Sequence, residues 1–209
     1  MKYSMMTVGP VQENTYILVN EKKEALIIDP GAEGKRINKK IESLEIKPLA
    51  ILLTHAHFDH IGAVDDVKAR WGIPVYIHER EAEWLSDVKK NGSAFFGQHV
   101  TAQQADHLIK EEGKLTLGSF EMDVLETPGH SPGSVSYYFA NAKAVFSGDA
   151  LFAGSIGRTD LQGGSQRVLL ESIHSRLLVL PEETVVAPGH GPTTTIGNEM
   201  DSNPFLSGF

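Results

Sequence analysis

Cysteine is absent from all 209 residues, which excludes disulfides, iron–sulfur clusters, thiolate zinc sites and a cysteine nucleophile. Any metal held by this chain must sit on histidine and carboxylate. A basic surplus is lacking as well. There are 19 Lys and Arg against 27 Asp and Glu, for a net charge of −8, whereas a sequence-independent binder of phosphate backbones needs a basic stripe. No nucleic-acid partner is expected. Long apolar runs are also missing: the segment Leu49-Ala-Ile-Leu-Leu53 has strand length and falls far below a membrane span. The first ten residues, Met1 to Pro10, lack the apolar stretch of a secretory signal. The expectations are a cytoplasmic location and no membrane partner.

What is present is an ordinary globular composition, 41% hydrophobic and 22% charged, with 20 Gly against 10 Pro. At this mass roughly 70% of the unfolded surface is buried on folding, enough for a real core. One α/β domain spanning 1–209 is the expectation, since neither a repeat nor a linker breaks the chain. Asn14–Asn20 and Glu24–Gly31 read as a hairpin. Ile37, Ile41 and Leu44 fall at helical spacing within Glu33–Leu44, and Pro48 stops that pattern before a strand at Leu49–Thr54. A helix over Ile61–Trp71, a strand over Pro74–His78 and a helix over Glu79–Asp87 continue the alternation, and Lys89–Ala105 is irregular. A second group of strands follows at Leu115–Leu117, Phe120–Glu126, Ser134–Ala140 and Ala144–Ser147. A helix over Gln166–Leu178 and a strand over Thr184–Ala187 come next, and the last 19 residues hold a short helical stretch.

The dominant motif is Thr54-His55-Ala56-His57-Phe58-Asp59-His60, directly after an apolar strand. In extended chain, residues i and i+2 point the same way, so His55 and His57 can face one ion together. Asp59 and His60 are adjacent and point apart. If they open a helix they present ligands beside the first pair, which suggests two metals side by side. Three further residues each stand in a Gly-punctuated loop after a strand: His130 in Thr127-Pro-Gly-His130-Ser-Pro-Gly133, Asp149 in Phe146-Ser-Gly-Asp149, and His190 in Ala187-Pro-Gly-His190-Gly-Pro192. Together these are five His and two Asp, enough for two sites with one Asp bridging. His78, His99, His107 and His174 lack such a setting and read as surface or capping residues. Asp29, in Ile27-Ile-Asp-Pro-Gly31, reads either as a turn cap or as a carboxylate that orients a metal ligand from behind.

The ordered set His55-x-His57-x-Asp59-His60, His130, Asp149, His190 resembles the metallo-β-lactamase superfamily over essentially the whole chain. That resemblance implies a four-layer αββα sandwich with a dinuclear site at one edge of its two sheets. It implies one ion on His55, His57 and His130, another on Asp59, His60 and His190, and Asp149 between them. The flavodiiron branch has Glu at the position of His57 and so differs from this chain. Phe146-Ser-Gly-Asp-Ala-Leu-Phe-Ala-Gly-Ser-Ile-Gly-Arg-Thr-Asp160, the tail Pro188–Glu199 and Asn203-Pro-Phe-Leu206 resemble the short glyoxalase II-like hydrolases, relatives of hydroxyacylglutathione hydrolase. Full-length glyoxalase II adds a C-terminal helical region that contacts glutathione, and it has Tyr shortly after the last His where this chain has Gly-Pro-Thr.

The activity implied is hydrolysis of a small-molecule thioester by a hydroxide held between two divalent ions, with Asp59 as the catalytic residue that orients it. Zinc is the first assignment, with iron and manganese as alternatives, because imidazole and carboxylate accept all three. By the same resemblance Arg158 corresponds to a basic residue that touches the carboxylate of the thiol carrier; an exposed structural Arg is the other reading. Thr159 and Asp160 read as shaping that loop. Two alternatives share the ligand order. One is a persulfide dioxygenase, with a single iron on His55, His130 and Asp149, whose last His usually stands in Pro-Ala-His-Asp-Tyr. The other is a lactonase. A β-lactamase is less expected, since those enzymes are typically exported.

Overall fold

The computed structural model describes residues 1–207, and the chain divides into two compact units. The first comprises Met1–Lys110 with Thr116–Glu121. It holds a six-stranded sheet whose order follows the chain: β1 (Lys2–Val8), β2 (Glu13–Val19), β3 (Glu24–Ile28), β4 (Lys47–Leu52), β5 (Val75–His78) and β6 (His107–Ile109). β1 to β3 run antiparallel, and β3 to β6 run parallel. The parallel part needs crossovers. Helix α1 (Gly34–Ser43) supplies one, burying Ile37 and Ile41 at i and i+4. Helices α2 (Phe58–Ile61) and α3 (Val64–Trp71) supply the next. The apolar side chains of β3 and β4, Leu26, Ile27, Ile28, Ile51 and Leu52, are all buried, as expected for strands covered on both faces.

Several sequence expectations shift here. Strand β4 begins at Lys47, so Pro48 lies inside it. The β3–β4 register shifts between Ala25 and Leu26, pairing Ala25 with Pro48 and Leu26 with Ala50. The extra residue, Leu49, forms a bulge, which is where a residue without an N–H fits in a ladder. The helix expected over Ile61–Trp71 is two, α2 and α3, parted at Gly62 and Ala63. The segment after β5 is a 3₁₀ helix, Glu79–Ser86, capped by His78 Nδ1, which accepts from Arg80 N at 3.2 Å. Strands β1 and β6 have no counterpart among the expected elements, and His107 of β6 stacks on Tyr76 with centroids 4.5 Å apart.

The second unit comprises Glu111–Leu115 and the chain from Met122 onward. The second sheet has the order β14-β13-β10-β9-β8-β7, from β7 (Gly113–Leu117), β8 (Phe120–Glu126), β9 (Val135–Phe139), β10 (Ala144–Gly148), β13 (Val185–Pro188) and β14 (Thr194–Thr195). A small hairpin, β11 (Leu151–Phe152) with β12 (Ser155–Ile156), stands apart from it. Helix α4 (Gln166–Ser172) is capped by Ser165 and runs into a π turn at Ile173–Leu177, together covering the span expected as one helix. Leu169, Ile173 and Leu177 pack with Val145, Val186 and Ile196 into one apolar cluster. Among the described residues no helix is long and apolar enough to cross a membrane.

The tail is better ordered than its composition suggests. Glu199 of α5 (Ile196–Ser202) is 2% exposed. It accepts from Gly154 N at 2.9 Å, Thr194 Oγ1 at 2.6 Å and Asn203 Nδ2 at 2.7 Å, tying the tail to the β11–β12 hairpin. Glu199→Ala leaves three donors without their acceptor, of which the Asn203 amide is buried, and is expected to cost about 3 kcal/mol, since bonds to a charged group are worth ~1.5–3 kcal/mol each with partial relaxation and the two outer donors can turn to water. Urea unfolding of the two proteins measures the difference.

Candidate metal centre

In the first unit, the polar residues gather beyond the carboxyl ends of β3 and β4, where parallel sheets place ligands. Ile28 pairs with Leu52, so Asp29 leaves the sheet level with Leu53, one residue before Thr54. Asp29 takes a left-handed conformation, φ 47°, which Asp tolerates better than most residues and which marks functional turns. Its carboxylate, 2% exposed, accepts Thr54 N at 2.7 Å on one oxygen. The other oxygen accepts Thr54 Oγ1 at 2.6 Å and His60 Nδ1 at 2.9 Å.

These bonds assign tautomers. A carboxylate only accepts, so His60 donates from Nδ1 and presents Nε2 as its lone-pair nitrogen. The Thr54 hydroxyl spends its proton on Asp29 and so accepts from His55 Nδ1, 3.1 Å away. His55 therefore also presents Nε2. One carboxylate thus orients two histidines, one directly and one through Thr54. Ligand-competent atoms of Asp29, His55 and His60 lie within 4.8 Å of one another, but the three donors Asp29 already accepts give it the orienting role. Glu13, fully buried, lies behind the same ring, with Oε1 3.9 Å from His60 Nδ1. Burial pushes its carboxyl well up, against the lowering influence of His60.

The His55 and His57 rings meet edge to face with centroids 4.7 Å apart, as their i, i+2 spacing leads one to expect. Asp59 and His60 open helix α2, where successive residues turn by about 100° instead of alternating. Asp59 and His60 do not point apart as adjacent residues of an extended chain would: Asp59 Oδ2 lies 4.0 Å from His60 Nε2, and the His60 ring lies 4.1 Å from that of His55. Gly31 makes this packing possible. A Cβ there would overlap the carbonyl oxygen of Asp59 and crowd Glu13.

In the second unit, β10 and β13 are parallel neighbours, so the residues following them emerge together. Asp149 follows β10 and His190 follows β13, and Gly189 N donates to Gly148 O at 2.8 Å. His190 Nε2 and His130 Nε2 each lie 3.5 Å from Asp149 Oδ2. The His130 loop is held from α4, where Ser172 Oγ donates to Pro128 O at 2.8 Å and Ser165 N to Gly129 O at 2.7 Å. His130 Nδ1 donates to the Arg158 carbonyl at 2.8 Å, so this ring too presents Nε2. Gly157 lets the chain before Arg158 pass over Asp149, whose carbonyl a Cβ would overlap.

Each of the seven residues singled out in the sequence thus falls into one of two clusters, His55, His57, Asp59 and His60 in the first unit and His130, Asp149 and His190 in the second. Arg158 lies in the loop behind His130, its guanidinium bound to Asp160 through Nε at 2.7 Å and Nη2 at 2.8 Å. Arg158 holds the Asp160 carboxyl down at about 2. Sequence reasoning missed two buried acids of the first unit, Glu13 and Glu81, because neither belongs to a recognisable motif. Glu81 is fully buried and accepts Ala56 N at 2.6 Å.

A family model described as the metallo-beta-lactamase superfamily matches residues 8–190. The chain is 57% identical to a probable metallo-hydrolase, YqgX, of Bacillus subtilis, over 100% of this chain and 99% of the relative. It is 36% identical to the hydroxyacylglutathione hydrolase GloC of Haemophilus influenzae, over 99% of both chains. Among solved structures, the BLEG-1 B3 metallo-beta-lactamase is 54% identical with a TM-score of 0.98, over 99% of this chain and 100% of that one. TTHA1623 in a di-iron-bound form is 41% identical with a TM-score of 0.88, over 97% of this chain and 100% of that one. The two mixed sheets with their helices are the α/β arrangement of that fold, and the chain belongs to the metallo-β-lactamase superfamily of metal-dependent hydrolases.

Proposed function

We propose that the chain is a thioester hydrolase of the hydroxyacylglutathione hydrolase type, working with two divalent metal ions held jointly by the two clusters. One observation carries the substrate class: GloC matches this chain over 99% of both lengths. A relative bearing that name thus has the same short span, so a chain of this length is sufficient for that class of reaction.

The donor set fits divalent ions. His55, His60 and His130 each have Nδ1 bound to an acceptor and Nε2 turned outward, the state in which imidazole ligates a metal. Segment 53–63 contains neither Lys nor Arg, so no like charge opposes a cation there. His55, His57 and His130 would hold one ion and Asp59, His60 and His190 the other, with Asp149 between them. Zinc suits these ligands, as does iron, the metal in the TTHA1623 structure. When bound, two such ions lower the pKa of water toward neutrality and draw charge from a substrate carbonyl.

The chain's own residues supply the rest. Asp59, partly exposed, would orient the attacking hydroxide toward the carbonyl carbon. A thiolate leaves without a strong general acid, which suits a site whose titratable groups are committed to the metals. Arg158, with donors beyond the two given to Asp160, would meet the carboxylate of the thiol carrier, and the small-molecule thioester is the one partner this reading requires. Cleavage of a β-lactam is the second reading, favoured by the BLEG-1 likeness.

Steady-state hydrolysis of S-lactoylglutathione, on protein loaded separately with zinc, iron and manganese, tests the proposal. The expected kcat/KM exceeds about 10⁴ M⁻¹s⁻¹ with at least one metal. No turnover of the thioester beside rapid turnover of a chromogenic cephalosporin would replace this reading with the second.

The geometry also bears on two positions outside the ligand set. Asp29→Asn keeps an acceptor for Thr54 but weakens the grip on His60, and is expected to lower metal affinity by about 10- to 100-fold, read by chelator competition. Arg158→Ala is expected to raise KM about tenfold with kcat nearly unchanged, as for loss of one charge-assisted contact. Asp160→Asn, which leaves the guanidinium uncompensated, moves KM the other way. Steady-state kinetics on both variants checks the pair.

A further inference from the structure

The loop carrying His55 and His57 is gripped from outside the metal cluster. It leaves β4 after Leu52, and past Leu53, whose amide still reaches β5, its amides must find acceptors beyond the sheet. Leu53 N donates to Tyr76 O at 3.0 Å and Thr54 N to Asp29 at 2.7 Å. Ala56 N, between the two histidines, donates to Glu81 Oε2 at 2.6 Å, and Phe58 N donates to Asn91 O at 3.0 Å. Both acceptors belong to the segment that opens with the 3₁₀ helix at Glu79–Ser86. The same segment places the Trp84 ring against His57, with centroids 6.0 Å apart. The peptide that follows His55, the peptide that follows His57, and the His57 ring are therefore all met by the chain between Glu81 and Asn91.

We propose that Glu81 is a positioning residue for the metal centre: through the Ala56 amide it fixes the peptide between His55 and His57, so that both imidazoles turn toward one ion. This rests on reading the cluster as a metal site. The choice of residue supports it. Holding a backbone amide needs only a neutral acceptor, and the neighbouring Asn91 carbonyl does that for Phe58. A fully buried carboxylate is costly by comparison. A carboxylate accepts about twice as strongly as a neutral group, and its negative charge lies one peptide away from two neutral ligands of a cation. Asp29 does the same on the other side of His55, so two buried acids bracket that residue through the amides of Thr54 and Ala56.

The test is Co(II) binding by the full chain, followed by visible absorption and by competition with a chelator, for wild type, Glu81→Gln, Glu81→Ala and Glu199→Gln. Thermal unfolding of each metal-free protein separates folding from ligation. Glu81→Gln keeps the shape and an acceptor oxygen, and is expected to fold, to bind the first Co(II) about tenfold more weakly and to change the visible band. Glu81→Ala is expected to lose about 100-fold. Glu199→Gln, an equally buried acid in the second unit, is expected to lower the unfolding temperature and leave Co(II) affinity and spectrum unchanged. Should Glu81→Ala fail to fold, Glu81→Gln decides alone. A Co(II) affinity and spectrum in Glu81→Gln equal to wild type would overturn the positioning role while leaving the metal centre standing. Wild type that binds no Co(II) would overturn the reading of the centre itself, and this role with it.

Discussion

The hydrogen bonds converging on Asp29 are the constraint on which the first ligand cluster depends. One carboxylate accepts the Thr54 amide, the Thr54 hydroxyl and the His60 ring, and thereby sets the tautomers of His55 and His60. That convergence requires Asp29 to leave β3 within one residue of the level at which Thr54 follows β4, which is a matter of register. Parallel pairing of Ile28 with Leu52 provides it, and the bulge at Leu49 is what brings those two residues level. A proline placed near the start of β4 thus bears on chemistry at its far end.

The second cluster is built differently. His130, Asp149 and His190 come from three separate loops, and no single side chain organises them. Asp149 and His190 are brought together by the parallel pairing of β10 with β13, and His130 by the ties of its loop to α4 and to the Arg158 carbonyl. Backbone geometry does here what a buried acid does in the first unit.

The residues of the two clusters were legible because their chemistry is concentrated: three His and one Asp within six residues form a pattern that chance seldom produces, and the glycine-flanked positions of His130, Asp149 and His190 point to loops that approach a site. Most strands and helices followed from apolar periodicity. What escaped had no local signature. Strands β1 and β6 are edge strands with exposed side chains, and β11 and β12 are two residues each, so hydrophobic patterning is weak in all four. Glu13, Glu81 and Glu199 look like surface acids in the sequence, and only tertiary structure shows that each is buried, Glu81 and Glu199 against amides of distant segments. Asp29 lay between two readings for the same reason, since its partners Thr54 and His60 are 25 and 31 residues away.

The pairing of Arg158 with Asp160 bears on how ligands are told apart. An anionic group reaching this guanidinium meets a charge that is already neutralised, so its arrival is an exchange of one carboxylate for another. Exchange changes little in net charge, so added salt should weaken it less than it would weaken capture by an isolated cation. It also favours ligands whose carboxylate can adopt the two-pronged geometry that Asp160 already satisfies. Under the proposed role of Arg158, discrimination at this loop would therefore be set by shape and hydrogen-bond count more than by the ligand's total charge.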